Sequence, residues 1–193
     1  MTEVAATNFR VRPATDSDFD FLREVYIQAR WEELSLLPVW TDDMRRAFLA
    51  QQAHLQHAHY GKHYGPLEYG VIEVQDGESI GRLYVLRSPT EIRIVDIALL
   101  PAWRNYGIGT VLITRILQQA AEQGARVTLH VEKNNPALRL YGRFGFRAVE
   151  DKGVYWFLEW RVGDQPSTPI NPCSCSLPSS SITSRSIVFG SAS

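Results

Sequence analysis

A strand that leads through a glycine-containing loop into a helix constrains this chain more than any other feature of its sequence. Residues 94–100 are apolar except for Asp96, Pro101 follows them, and Gly107 and Gly109 open a segment with apolar residues at helical spacing. Glycines allow backbone N–H groups to approach a ligand closely, and the first N–H groups of a helix lack internal acceptors. Together with the positive end of the helix dipole, such a loop forms a cradle for a pyrophosphate.

The loop pattern by itself is short. It reads Arg-x-x-Gly-x-Gly from Arg104 to Gly109. It matches neither Gly-x-Gly-x-x-Gly, which is typical of dinucleotide-binding folds, nor the phosphate loop that ends in Gly-Lys-Ser/Thr. A nucleotide-binding α/β protein is therefore only a distant alternative, because the lysine of the phosphate loop is missing.

A second pattern lies about 30 residues further on, at 134–146. Asn135 is a good N-cap residue and Pro136 suits the first helical position. Apolar residues then follow at i, i+3, i+4 and i+7, and Gly145 ends the pattern. This predicts a short amphipathic helix over 136–144 with Tyr141 on its apolar face.

The rest of the body alternates between strand-like and helix-like segments. We predict strands at 9–12, 68–75, 79–86, 91–99, 126–131, 146–149 and 155–160, and helices at 16–34, 42–57, 107–123 and 136–144. This order predicts an α+β fold. It has a mixed central sheet of about six to seven strands, flanked by about four helices.

Composition divides the 193 residues into an N-terminal arm at 1–8, one domain at 9–162 and a tail at 163–193. The tail holds ten Ser and four Pro, and we expect it to be disordered. Both cysteines, Cys173 and Cys175, lie there, so the domain has no thiol for covalent catalysis. The net charge of −1 gives no electrostatic case for nucleic acid or a membrane surface. With no secretory signal and no spanning segment, we expect a cytoplasmic protein.

Taken together and in this order, the two patterns resemble those of the GNAT superfamily of acetyl-CoA-dependent N-acetyltransferases. The resemblance implies that the domain binds acetyl-CoA in a V between two splayed parallel strands, 91–99 and 126–131. It implies that Ala98 and Leu99 offer backbone groups to the pantetheine arm and the acetyl group, and that Asn134 binds the pantetheine. The residues implied to hold the pyrophosphate are Arg104, Asn105, Tyr106, Gly107, Ile108 and Gly109.

Tyr141 is implied to lie near the thioester sulfur as the general acid. A thiol has a pKa of about 8.5 and a tyrosine about 10, so a positioned phenol can stabilise or protonate a departing thiolate. The attacking amine must be neutral, which calls for a base. Asp96 and His130 are the candidates, each with a structural pairing as the alternative. Glu132 follows on the same strand face as His130.

The acceptor is not identified by the sequence. A small-molecule amine or a peptide amine suits such a scaffold, and the resemblance is compatible with a homodimer. The segment between the first two strands holds Trp31, Trp40 and several histidines, including His54 and His57. These residues either shape the acceptor site or pack the core, and we expect no metal there, because no carboxylate or cysteine lies among the histidines. A non-catalytic acyl-CoA-binding or partner-binding module is the alternative function.

Overall fold

The computed structural model describes residues 8–35, 39–63 and 65–164. Within these residues, seven strands form one sheet in the order β1-β2-β3-β4-β5-β7-β6. The strands are β1 (Phe9–Pro13), β2 (Glu68–Val74), β3 (Ser79–Arg87), β4 (Glu91–Leu99), β5 (Arg126–Glu132), β6 (Arg147–Lys152) and β7 (Tyr155–Trp160). The helices are α1 (Phe19–Ser35), α2 (Asp42–His63), α3 (Ile108–Gln123) and α4 (Leu138–Arg143).

The sheet is mixed, because β4 and β5 pair in parallel while the other neighbouring strands pair antiparallel. Parallel neighbours need a crossover connection, and α3 supplies it between β4 and β5. The predicted α+β class, with a mixed sheet of seven strands and four flanking helices, is confirmed.

The two faces of the sheet carry separate cores because successive side chains of a strand point to opposite faces. On β3, Leu83 and Val85 join the main core with Ile108 and Leu112 of α3. Between them, Tyr84 faces the other way, into a second core with residues of α1 and α2. The helix pair α3 and α4 thus covers one face, and α1 with α2 covers part of the other.

The observed start of α4 differs from the predicted one. The helix begins at Leu138 and not at Pro136. The side-chain oxygen of Asn135 accepts a hydrogen bond from the N–H of Ala137 at 2.8 Å, and the N–H of Leu138 bonds back three residues to the Asn135 carbonyl. A tight turn therefore stands where the first turn of the helix was predicted. Asn135 does cap this turn, which precedes the helix.

The first two helices also differ at their ends. A short 3₁₀ turn over Asp16–Asp18 precedes α1, and the carboxylate of Asp18 accepts the N–H of Thr15 at 2.8 Å. Helix α2 continues to His63, six residues beyond the predicted end. Residues 1–7 of the predicted arm and 165–193 of the predicted tail, with both cysteines, lie outside the described residues.

Candidate active site

The parallel strands β4 and β5 separate halfway along their length. They pair from Glu91 with Arg126 to Ile94 with Leu129, and the pairing stops there. Beyond this point β4 stays with β3 up to Leu99, whereas β5 stays with β7. The separation opens a splayed cleft between residues 95–99 of β4 and 130–132 of β5.

A bulge in β4 lies where the strands part. Tyr84 of β3 pairs with Asp96 and Val85 pairs with Ile94, so Val95 is the extra residue. Bulges bend a strand and increase its twist. Because this bulge falls immediately after the last β4–β5 pair, it directs the end of β4 away from β5.

An ion-pair network stabilises the closed end of the cleft. Glu91 accepts hydrogen bonds from Arg126 at 3.0 Å and from the Thr128 hydroxyl at 2.5 Å. Arg126 also binds Glu159 of β7 at 3.0 Å. These contacts connect β4, β5 and β7 before the bulge, so the strands are held together there and diverge only afterwards.

The loop from 104 to 109, here called the glycine loop, connects β4 to α3 at the open end. Asn105 has a φ of +66° and Gly107 a φ of +81°, both left-handed. Gly107 is the N-cap of α3, and no side chain caps the helix. The N–H groups of its first turn therefore remain available to an anion, in the field of a 16-residue helix.

Arg104 is engaged within the protein. Its Nε donates to the Leu99 carbonyl at 3.0 Å, and its Nη2 donates to the Gln28 carbonyl of α1 at 3.4 Å. The Arg104 side chain therefore connects the end of β4 to α1. Tyr106, in the same loop, is 52% exposed.

Tyr141 lies in the main core beneath the cleft. Its side chain is 5% exposed, and its ring packs edge-on against Phe146 at 5.5 Å between centroids. Burial, and to a smaller extent the charge of Asp96, raise the pKa of Tyr141 to about 12. A Cβ added to Gly109 would lie 3.7 Å from Leu140, so α4 sits beside the glycine loop. Asn134 is exposed in the turn between β5 and α4.

Asp96 is paired in the structure. Its carboxylate meets Arg82 of β3 at 2.5 Å, and the two side chains are 16% and 6% exposed. The guanidinium also lies over the rings of Tyr26 at 5.5 Å and Tyr84 at 5.2 Å. This is the structural pairing that the sequence left open as the alternative to a base. Gly81, beside Arg82, permits β3 to approach β4 closely, because a Cβ there would overlap the Ala98 carbonyl oxygen.

His130 lies half-buried on the face of β5 opposite to Tyr141, because its neighbours Leu129 and Val131 belong to the main core. Its ring packs on Phe157 of β7 at 4.8 Å. Burial lowers the pKa of His130, and the nearby cations Arg93 and Lys152 lower it further. The neutral imidazole, which is the form that accepts a proton, is thus favoured.

A cluster that sequence reasoning missed lies next to His130, and we call it the Arg30 cluster: Arg30, Glu33, Glu132 and Tyr155. Arg30 of α1 binds Glu33 at 3.1 Å and reaches Glu132 of β5 at 3.5 Å. Tyr155 is the register partner of Glu132 on β7. In the sequence, the cluster is indicated only by the i, i+3 spacing of Arg30 and Glu33, and such pairs are common on helix surfaces.

The histidines of α2 pack against an aromatic ring. Phe19 of α1 contacts His54 at 5.7 Å and His57 at 5.2 Å between ring centroids. Among the residues that the structure describes, no three His, Cys, Asp or Glu side chains are grouped as a metal site would need. Trp31 packs on the core between α1 and α2. Within those same residues, no helix is long and apolar enough to cross a membrane.

Comparison with known proteins places this arrangement in one class, that of acetyltransferase folds. The PaiA N-acetyltransferase from Thermoplasma acidophilum, solved in complex with coenzyme A, superposes with a TM-score of 0.60 at 15% identity, covering 80% of this chain and 99% of that one. The sequence profile described as the Acetyltransferase (GNAT) family matches residues 25–146. The chain belongs to the GNAT acetyltransferase family.

Two kinds of curated relatives are similar in sequence. The [Ribosomal protein bS18]-alanine N-acetyltransferase of Haemophilus influenzae is 27% identical over 119 residues, which cover 59% of this chain and 82% of that protein. The Cysteine-rich protein 2-binding proteins of Mus musculus and Homo sapiens are 46% identical over 50 residues, which cover 26% of this chain. The match spans only 6% of those two proteins.

Proposed function

We propose that this protein transfers an acetyl group from acetyl-CoA to a primary amine by direct attack. The observation that carries the proposal is the meeting of three features at one cleft: parted parallel strands, an uncapped helix N-terminus and a buried tyrosine beside it. Family membership supports the reaction class, since the matched family consists of acetyltransferases.

The donor fits the geometry of the glycine loop. Gly107 has a left-handed φ at the N-cap of α3, where no side chain caps the first N–H groups of the helix. A Cβ at this position would meet nothing within 4 Å, which leaves room beside the backbone. These N–H groups, from Gly107 to Gly109, would bind the pyrophosphate. The backbone of Ala98 and Leu99 and the side chain of Asn134 would then hold the pantetheine arm along the cleft. Coenzyme A in the related PaiA structure supports the choice of donor.

The chemistry follows from the two faces of the cleft. The amine nitrogen forms a bond to the thioester carbonyl carbon, and the C–S bond breaks with its electron pair leaving on sulfur. Tyr141, from the α4 side, takes the role of the general acid by donating a hydrogen bond to that sulfur, which stabilises the departing thiolate. His130, from the α1 side, accepts the proton that the amine loses, directly or through a water. We place Asp96 second as the base, because its carboxylate is held by Arg82.

The acceptor is proposed as a small-molecule or peptide amine. The name of the Haemophilus influenzae relative describes acetylation of an alanine of ribosomal protein bS18, which supports a peptide amine as one form of acceptor.

The decisive assay measures thiol release from acetyl-CoA in the presence of a panel of amines, with donor binding measured by calorimetry on the same preparation. We expect donor binding and amine-dependent thiol release. Binding without thiol release for any amine would identify a non-catalytic acyl-CoA-binding module. Absence of both would contradict the proposed function.

A further inference from the structure

The Arg30 cluster bridges the splayed cleft on its α1 side, where His130, the proposed base, also lies. Helix α1 packs over β3 and β4, whereas Glu132 lies at the end of β5, beyond the last residue paired with β4. The Arg30–Glu132 contact at 3.5 Å therefore connects the two arms of the cleft. Because Glu132 and His130 share one strand face, the cluster lies next to the proposed base.

The cluster carries more negative than positive charge. Arg30 is one guanidinium held between two carboxylates, at 3.1 Å from Glu33 and 3.5 Å from Glu132. Its positive end is also covered by the ring of Tyr26, at 5.6 Å from the guanidinium carbon to the centroid. The side chains of Glu33 and Glu132 are 52% and 27% exposed, so their oxygens remain within reach of a ligand.

The other charged side chains near His130 each have a partner of opposite charge. Arg93 binds Glu91 at 3.1 Å, and Lys152 binds Glu150 at 2.6 Å. The charge of Asp96 is matched by Arg82. The Arg30 cluster differs from these pairs, because two carboxylates face one guanidinium there and leave a surplus of one carboxylate at the open end of the cleft.

We propose that the Arg30 cluster selects the acceptor by charge: it takes amines with no carboxylate beside the amine, such as peptide N-termini and other cationic amines, and rejects free amino acids. This inference rests on the proposed function. An arriving ammonium group is attracted by the surplus carboxylate. A free amino acid brings its own carboxylate, which meets Glu33 and Glu132 and finds the guanidinium of Arg30 already bound.

The test compares acceptors with and without this carboxylate. Each kcat/KM is referred to the concentration of the neutral amine, because the ammonium group of free alanine has a higher pKa than that of alaninamide or of a peptide N-terminus. L-Alanine is paired with L-alaninamide, and a tripeptide acid with an N-terminal alanine is paired with free L-alanine, at pH 8 with thiol release as the readout. We expect kcat/KM for alaninamide to exceed that for alanine by at least tenfold, and the tripeptide to behave like the amide. Donor affinity should not differ between these experiments.

Variants then assign the preference to the cluster. In the double variant Glu33→Gln and Glu132→Gln, Arg30 becomes an unpaired cation, so the preference for the amide should fall at least tenfold or invert toward alanine. Glu68→Gln is the control, because Glu68 forms a comparable surface ion pair with Arg87, outside the cleft, and should leave the ratio unchanged.

The outcomes separate this inference from the proposed function. Acetylation of alanine as fast as alaninamide, or a ratio that the double variant does not change, overturns charge selection but leaves the acetyltransferase proposal standing. No thiol release with any amine, despite donor binding, overturns both.

Discussion

Replacing Tyr141 with phenylalanine tests the part of the mechanism that depends most on burial. The substitution removes one hydroxyl from a side chain that is 5% exposed and leaves the ring, with its edge-on contact to Phe146, in place. Because the shape is retained, we expect the stability of the fold to change by less than about 1 kcal/mol. Loss of activity would then report on chemistry rather than on unfolding.

The magnitude follows from the pKa. Burial raises the pKa of Tyr141 to about 12, about 3.5 units above that of a thiol near 8.5. Complete proton transfer to the thiolate is therefore uphill, and the hydroxyl acts chiefly by donating a hydrogen bond to the developing charge. Such a bond to a charged group is worth about 1.5–3 kcal/mol, which corresponds to a loss of about 10- to 150-fold in kcat.

The assay measures kcat with saturating acetyl-CoA and donor Kd by calorimetry, for Tyr141→Phe and for Tyr69→Phe as a control. Tyr69 is another tyrosine whose pKa is raised by burial, but it packs with the second core against α2, away from α4. We expect kcat to fall only in the Tyr141 variant, with Kd unchanged in both. A kcat within twofold of the unsubstituted protein would refute the role given to Tyr141.

Three further predictions concern the donor loop and the two candidate bases. Gly107→Ala places an L residue at a φ of +81°, which costs about 1–2 kcal/mol, and it should weaken coenzyme A binding at least tenfold. Gly124→Ala is the control, because it imposes similar strain at the other end of α3, at a φ of +65°. An equal loss of affinity in the control would contradict pyrophosphate binding by the glycine loop. If His130 is the base, the acetylation rate falls as the pH drops through the pKa of His130, which burial places below the ordinary 6.5. His130→Gln should abolish this loss of rate at acidic pH. A loss of rate that persists in the variant excludes His130 as the base. Asp96→Asn leaves Arg82 buried without its partner and should reduce the free energy of unfolding in urea by about 3–5 kcal/mol, whereas Asp96→Leu combined with Arg82→Leu should recover most of it. Full activity in a folded double variant would exclude Asp96 as the base.

The sequence by itself was sufficient for the fold and for the two local patterns on which the proposed donor site rests. The glycine loop and the Asn135 to Gly145 pattern are local: the residues that define each one are near neighbours along the chain, so spacing and residue type are enough to predict a helix start, a cap or a buried face. Even there, the start of α4 was wrong by two residues, because the Asn135 side chain closes a turn before the helix begins.

The side-chain partners around the proposed acceptor site were decided by tertiary structure. Asp96 could not be assigned from its isolation in an apolar run, since its partner Arg82 comes from the neighbouring strand and is selected by the β3–β4 register. Arg30 and Glu132 are about a hundred residues apart and meet only because β5 leaves β4 at the bulge. Charged side chains from distant segments come together because backbone pairing decides which strands separate and where. That pairing is a property of the whole sheet, so no single segment of the sequence contains it.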